Sequence, residues 1–358
     1  MERIDVIAIV GGCVPERRDY ASRLAGLTGR ILIPAARLEA VPDPIEEAMM
    51  LAPWCLHPAG VVIEFPSVSA MPDLVGALAD EAGPTRLTGV VCVVDAAHLM
   101  SDLARGSFSV HPALTRLAGR PVPHALVAVS QIEFASMLVL VNWESLDTDE
   151  LSTVMSLLCH LNPSARLRVD HGGQLAWRSG DAYTTEQVRP GWVALLGGAH
   201  DPHMTDPRVS SFRYENVRPL HPARLERLLD TRIEPGEFGL IVRSMGFCRL
   251  ATRPHVVAEW NHVGGVISFD PLVRDDALGD DEDLLAVGQD IGFTGIDLDR
   301  AALARARRRG AHRRRARCRP GGVGALRGSV SRLAVRAGGR RLSRLTRSCG
   351  CAAARPIR

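Results

Sequence analysis

All 43 basic residues of this 358-residue chain are arginine, and that limits what its reactive side chains can do. Arginine, with a pKa of roughly 12 or more, cannot act as a Schiff-base nucleophile. No lysine can close a phosphate-binding loop or read a guanine either. Near the N-terminus stand Gly11 and Gly12, followed by Arg17 and Arg18, which read as solvated first-turn residues of a helix, the alternative being that two cations at a helix start attract an anion. Metal-ligand types come in twos and threes: Cys55 with His57, Cys159 with His160, and His200, Asp201 and His203. Two ligands in one turn of chain read more simply as a buried thiol beside a surface imidazole, and histidines occur readily in a Gly-, Asp- and Pro-containing linker. No metal is assigned to any of them.

The elements that must position these residues alternate. Continuous apolar runs at 5–10, 30–34, 60–64, 89–95 and 137–142 read as buried strands, and 17–27, 44–51 and 149–161 have helical spacing. Asp43 and Pro44 open the second of those helices. Continuous strands separated by helices predict a doubly wound α/β fold with a mostly parallel sheet, whose ligands bind at the carboxyl ends of the strands. Periodicity lapses over 171–206, which reads as a linker. Beyond it a strand, a helix over 221–229, a hairpin-like pair and a strand over 289–297 predict a small α+β domain spanning 207–300.

Charge divides the chain a second time. Residues 301–358 hold 18 arginines and no Asp, Glu, Phe, Tyr or Trp, so residues 1–300 carry 25 Arg against 40 acidic residues, formally −15, and the tail +18. A helix ought to follow Asp299, yet its apolar stripe fails to appear. The tail reads as disordered or as out-of-frame translation of a GC-rich gene, and alternatively as a basic arm for nucleic acid. Cys349 and Cys351 fall within it. The other cysteines are scattered singly, the pattern of reduced thiols. Without a charged-then-apolar leader or a long apolar run, the chain is expected to be cytoplasmic and to have no membrane partner.

The strand ends carry a resemblance. GVVIEFPS at 60–67, LTGVVCVVD at 87–95, SQIEFA at 130–135, MLVLVN at 137–142 and LNPSA at 161–165 occur in the order seen in CobW-like GTPases. That group comprises metallochaperone and zinc-homeostasis P-loop proteins. FRYENVRPLHPARLERLL at 212–229 and LIVRSMGFCRLATRP at 240–254 resemble its C-terminal domain. The resemblance implies a P-loop GTPase-like domain over 1–170, followed by a CobW C-terminal domain.

It also implies where the nucleotide chemistry should lie, and there the residues depart from the pattern. Gly11 keeps the first glycine of the phosphate loop, but Glu16, Arg17 and Arg18 stand where a glycine, a lysine and a Mg²⁺-binding hydroxyl belong. Val14 and Pro15 stiffen a loop that must wrap. Glu64 remains at the Mg²⁺ position, with Phe65, Pro66 and Ser67 in place of a flexible turn. Of the guanine-reading element only Asn142 survives, before Trp143, Glu144 and Ser145. The family's Cys-x-Cys-Cys metal motif is replaced by Ala36, Arg37, Leu38 and Glu39, and Met245 replaces a lysine between Arg243, Ser244 and Gly246. Gly11, Gly12, Arg17, Arg18, Glu64 and Asn142 are thus expected to be vestigial nucleotide-site residues, with no catalytic or metal residue. The expected function is a non-catalytic binding or scaffold protein of zinc homeostasis, with no cofactor and an unidentified protein partner. The alternatives are a weakly active GTP-binding metallochaperone using GTP with Mg²⁺ or Zn²⁺, and a nonfunctional frameshifted copy.

Overall fold

The computed structural model describes residues 3–55, 57–109, 121–172, 183, 190–275, 288–310 and 355–356. The remaining residues, most of the arginine-rich tail with Cys349 and Cys351 among them, lie outside the described set. Two compact units divide the chain, Met1–Pro190 and Gly191–Arg358.

The first unit runs β1 (Ile4–Val10), α1 (Val14–Thr28), β2 (Ile31–Ile33), α2 (Ala35–Glu39), α3 (Pro44–Leu51), β3 (Val61–Glu64), α4 (Met71–Leu78), β4 (Thr85–Asp95) and α5 (Leu99–Leu103). A short hairpin, β5 (Phe108–Ser109) with β6 (Val122–Pro123), precedes α6 (His124–Glu133), β7 (Met137–Val141), α7 (Thr148–Leu161) and β8 (Arg166–Val169). The main sheet has the order β2-β3-β1-β4-β7-β8, and every neighbouring pair in it is parallel. This is the doubly wound arrangement that unbroken apolar strands demand, because both faces must be covered. Ile7, Ile9, Val91 and Val139 on one face pack against Tyr20 and Leu24 of α1. Local chemistry sets the helix starts. Asp43 accepts hydrogen bonds from the N–H groups of Ile45 and Glu46, both at 3.1 Å, and Asp147 forms a capping box with Glu150.

The second unit contains α8 (Gly191–Leu196), β9 (Val209–Asn216), α9 (Pro222–Leu228), β10 (Leu240–Leu250), β11 (Arg253–Val263), β12 (Val266–Arg274), β13 (Gln289–Ile296) and α10 (Arg300–Gly310). Its sheet is antiparallel, in the order β12-β11-β10-β13-β9, with a two-residue strand β14 (Arg355–Pro356) on the β12 edge.

Two expected boundaries move. Residues 191–196, assigned to the linker, form α8, whose Val193 and Leu196 pack with Phe247 and Val257 on one face of the sheet. Glycines and prolines around a six-residue helix conceal its period. The covering helix judged missing after Asp299 is present as α10. Its stripe is Leu303, Ala306 and Arg307, all buried against Trp260 and Phe293 on the other face. The second unit therefore does not end at 300.

Candidate functional site

In a sheet of this order the chain reverses direction about β1, so ligands belong outside the carboxyl ends of β1 and its neighbours β3 and β4. Only three residues, 11 to 13, connect β1 to α1. Gly11 has φ +143°, and a Cβ there would lie 2.3 Å from the Val93 carbonyl oxygen of β4, so no other residue fits. Gly12 is exposed. Val14 and Pro15 are not loop residues. They form the first turn of α1, where proline's fixed φ and missing N–H suit the helix. The helix thus begins where a phosphate loop would still be wrapping.

Arg17 follows in that first turn, its N–H bonded to the Cys13 carbonyl at 2.9 Å, and its side chain is fully buried. Its Nε donates to Glu64 Oε1 at 3.0 Å and its Nη1 to the Gly11 carbonyl at 2.5 Å. Glu64, equally buried at the end of β3, accepts with Oε2 from the Ala35 N–H at 3.1 Å. Arg17 Nη2 finds no partner among the described residues. Arg18 is exposed. The turn after Glu64 is committed to the fold: the Phe65 N–H bonds the Ile9 carbonyl at 2.9 Å, and the Ser67 carbonyl accepts from Gln131 Nε2 at 2.9 Å. Cys13, at the helix start, has its thiol pushed up to about 12 by burial and then by Glu16, which makes it a poor nucleophile.

Asn142, beyond β7, adopts the left-handed conformation at φ 55°. Its Nδ2 donates to Asp95 Oδ2 at 2.9 Å and to Glu16 Oε1 at 3.2 Å. The exposed His98 ring lies 2.8 Å from Asp95, whose hydrogen bond raises the imidazole above its ordinary value. Beside Asn142 opens a cleft of about 380 Å³, lined by Glu16, Asp19, Glu144 and Asp170, with Arg23 the one cation among its described lining residues. Arg23 bonds both Asp19 and Asp170. Burial pushes the Asp170 carboxyl up, but the Arg23 and Gly172 hydrogen bonds outweigh it and hold the group below the usual carboxylate range.

The structure thus brings Gly11, Arg17 and Glu64 into one buried cluster, Arg17 being buried rather than solvated, ties Asn142 to Asp95 and Glu16 instead, and leaves Gly12 and Arg18 at the surface. Sequence reasoning passed over Asp95, His98, Arg23 and Asp170. Asp95 closes β4 and Asp170 directly follows β8, so polar residues at every strand end were the available signal.

The remaining candidates are structural in their surroundings. Among the described residues no group of three or more His, Cys, Asp or Glu side chains is placed to hold a metal ion. His57 Nδ1 accepts from the Ala59 N–H at 3.3 Å, while Cys159 and His160 are buried in α7. Buried Asn162 of the LNPSA motif donates to the carbonyls of Ile132, Glu133 and Ala135, tying it to the SQIEFA motif. Ser244 accepts from Trp260 Nε1 at 2.8 Å, and Arg243 donates to Asn261 Oδ1 at 2.6 Å, so that element pins neighbouring strands.

A doubly wound parallel sheet with its polar strand ends gathered about β1, followed by an antiparallel sheet unit, defines the class of protein. Within it, residues 209–309 match the family of the Cobalamin synthesis protein cobW C-terminal domain, and the chain carries that domain. The chain is also distantly homologous to the "Zinc-regulated GTPase metalloprotein activator 1" of Dictyostelium discoideum, 28% identical over 149 residues, 38% of this chain. That match spans 29% of the relative's length. Among solved structures, the Zn(II)-bound YjiA GTPase from E. coli is 14% identical and aligns with a TM-score of 0.36, covering 87% of this chain and all of that one. A Zn(II)-bound triple mutant of YjiA GTPase aligns at 0.37 with the same identity and coverage. No helix among the described residues is long and apolar enough to cross a membrane.

Proposed function

We propose that this chain is a nucleotide-independent binding or scaffold protein derived from the CobW-like GTPases, acting in the cytoplasm in zinc handling. The observation that carries the reading is the buried Arg17–Glu64 pair. The side chains standing at the phosphate and Mg²⁺ positions neutralise each other and are closed to solvent. A Mg·nucleotide does not fit the residues present. The connection between β1 and α1 is too short to wrap a phosphate chain, and Glu16 stands where the loop's second glycine would approach it. The carboxylates of Asp19, Glu144 and Asp170 line the adjoining cleft, with Arg23 already shared between two of them. The zinc association is supported by the name of the distant relative.

The test is calorimetry of the whole chain with GTP, with and without Mg²⁺. At micromolar concentrations, where binding corresponds to about −8 kcal/mol, no saturable isotherm is expected. A saturable, Mg²⁺-dependent isotherm would overturn the reading in favour of a GTP-binding metallochaperone.

A further inference from the structure

The buried cluster at the end of β1 joins four pieces of backbone through two side chains. Arg17 comes from α1 and grips the Gly11 carbonyl at the end of β1; Glu64 comes from the end of β3 and grips the first N–H of α2 at Ala35. The contacts span 47 residues between Arg17 and Glu64 and 29 between Glu64 and Ala35. Arg17, Glu64 and Ala35 are each 2% exposed or less. A carboxylate in such a place needs a cation and fixed donors, because alone it would lose its hydration without return. Arginine suits the task, since its rigid fork can donate to a carboxylate and a carbonyl together, where a lysine offers one point of charge. Elsewhere this chain buries Arg307 beside Gln289 and aromatic rings, with no carboxylate partner among the described residues, which makes the Arg17 pairing a specific provision.

We propose that Arg17 is a resident cation, standing in for a bound ligand, that fixes Glu64 and through it the start of α2, so that α1, β3 and the segment leading through α3 hold one arrangement without nucleotide. The inference rests on the closed-site reading above and adds how that site is regulated: it is permanently engaged from within the chain. Arg17 is here a positioning residue, acting on α2 through Glu64.

Residue-resolved hydrogen exchange on the full chain tests this, with the Ala35 amide as reporter, since its N–H is held by Glu64 Oε2. In Arg17→Ala, exchange at Ala35 is expected to rise by about tenfold or more, and more than in Leu24→Ala, a core variant of α1 that leaves the cluster intact. Methylguanidinium at roughly 20 mM, below denaturing strength, should restore protection in Arg17→Ala, whereas methylammonium, which lacks the planar fork, should not. Should Arg17→Ala fail to fold, Arg17→Lys serves, with intermediate exchange at Ala35 because the amine cannot hold Glu64 and Gly11 together. A rise at Ala35 no larger than in Leu24→Ala overturns the proposal, and so does a rise that methylguanidinium leaves unchanged. Extra protection at Ala35 in the wild-type chain on adding Mg·GTP would instead overturn the closed-site reading, with the variant still measuring the Arg17–Glu64 tie by itself.

Discussion

Two fully buried arginines find different solutions. Arg17 has a carboxylate; Arg307, also fully buried, has none within hydrogen-bond reach among the described residues and lies between aromatic faces, 4.5 Å from the Trp260 ring centroid, 4.9 Å from Phe293 and 5.2 Å from Tyr214. Its Nη2 donates to Gln289 Oε1 at 3.2 Å, and Nε and Nη1 have no partner among the described residues. That charge bears on His262, buried in β11. Burial lowers the imidazole to about 4, Arg243 and Arg307 push the same way, and a backbone hydrogen bond to Gly264 opposes them. Ser244 Oγ, which accepts from Trp260 Nε1, lies 3.1 Å from His262 Nδ1. Since the folded value lies below the ordinary 6.5, the unfolded chain binds the proton first as pH falls. The contribution of neutral His262 is whole above about pH 6.5 and is lost progressively toward pH 4, a change on the order of 3 kcal/mol. Urea unfolding at pH 7, 5.5 and 4 should show the stability gap between wild type and His262→Gln shrinking, and reversing if the amide packs well. A gap that stays constant with pH would mean that His262 does not titrate across folding.

At the scale of elements, α10 decides how far the second unit extends. The Asp299 side chain accepts from the Ala302 N–H at 2.8 Å, capping the helix, and Leu303 and Ala306 then enter the core beside Arg307. Leu303→Ala should cost about 2 to 4 kcal/mol, the usual range for emptying a leucine site. Arg307→Met, which fills the aromatic box without the two unpartnered N–H groups, should stabilise by about 1 kcal/mol. Denaturant unfolding checks both; a Leu303→Ala change within error of zero would mean that α10 does not cover the sheet. The sequence pattern concealed this helix because a polar and apolar reading scores Arg307 as solvent-facing, whereas aromatic rings can take a guanidinium where a leucine would sit. Elsewhere local signals sufficed. Asp43 and Pro44 place the start of α3 correctly, and the unbroken β4 run places the sheet core. At the site, the glycine at 11 and the carboxylate at 64 were legible as positions, but their relation to Arg17 was not. No periodicity reports that residues 47 apart in sequence share one ion pair, and the loop reading of Val14 and Pro15 missed that proline welcomes a helix start.

For the whole molecule, charge and fold divide the chain at different places. Formal charge changes sign at about residue 300, with 18 of 43 arginines beyond it, but the folded unit and the cobW C-terminal domain match continue to 310 and 309. Residues 301–307 therefore belong to the body in packing and to the tail in composition. The first three turns beyond the charge boundary bury a leucine, an alanine and an arginine side chain, and few domains hold more than about 5 to 15 kcal/mol in total. Loss of Leu303 and the rest of that helix would expose the Trp260 and Phe293 face, a contiguous apolar surface of the kind that drives association. Two truncations separate the boundaries. A chain ending at residue 310 should melt within about 2 °C of the full chain and stay monodisperse, because every α10 contact described here is retained. A chain ending at residue 299 should melt at least about 8 °C lower, or scatter light on heating through exposed sheet. Thermal melts with light scattering on the three chains provide the measurement. Equal melting of both truncations would return the domain boundary to residue 300 and make α10 dispensable, whereas a chain ending at 310 that behaves like the one ending at 299 would show that the arginine-rich remainder also supports the fold.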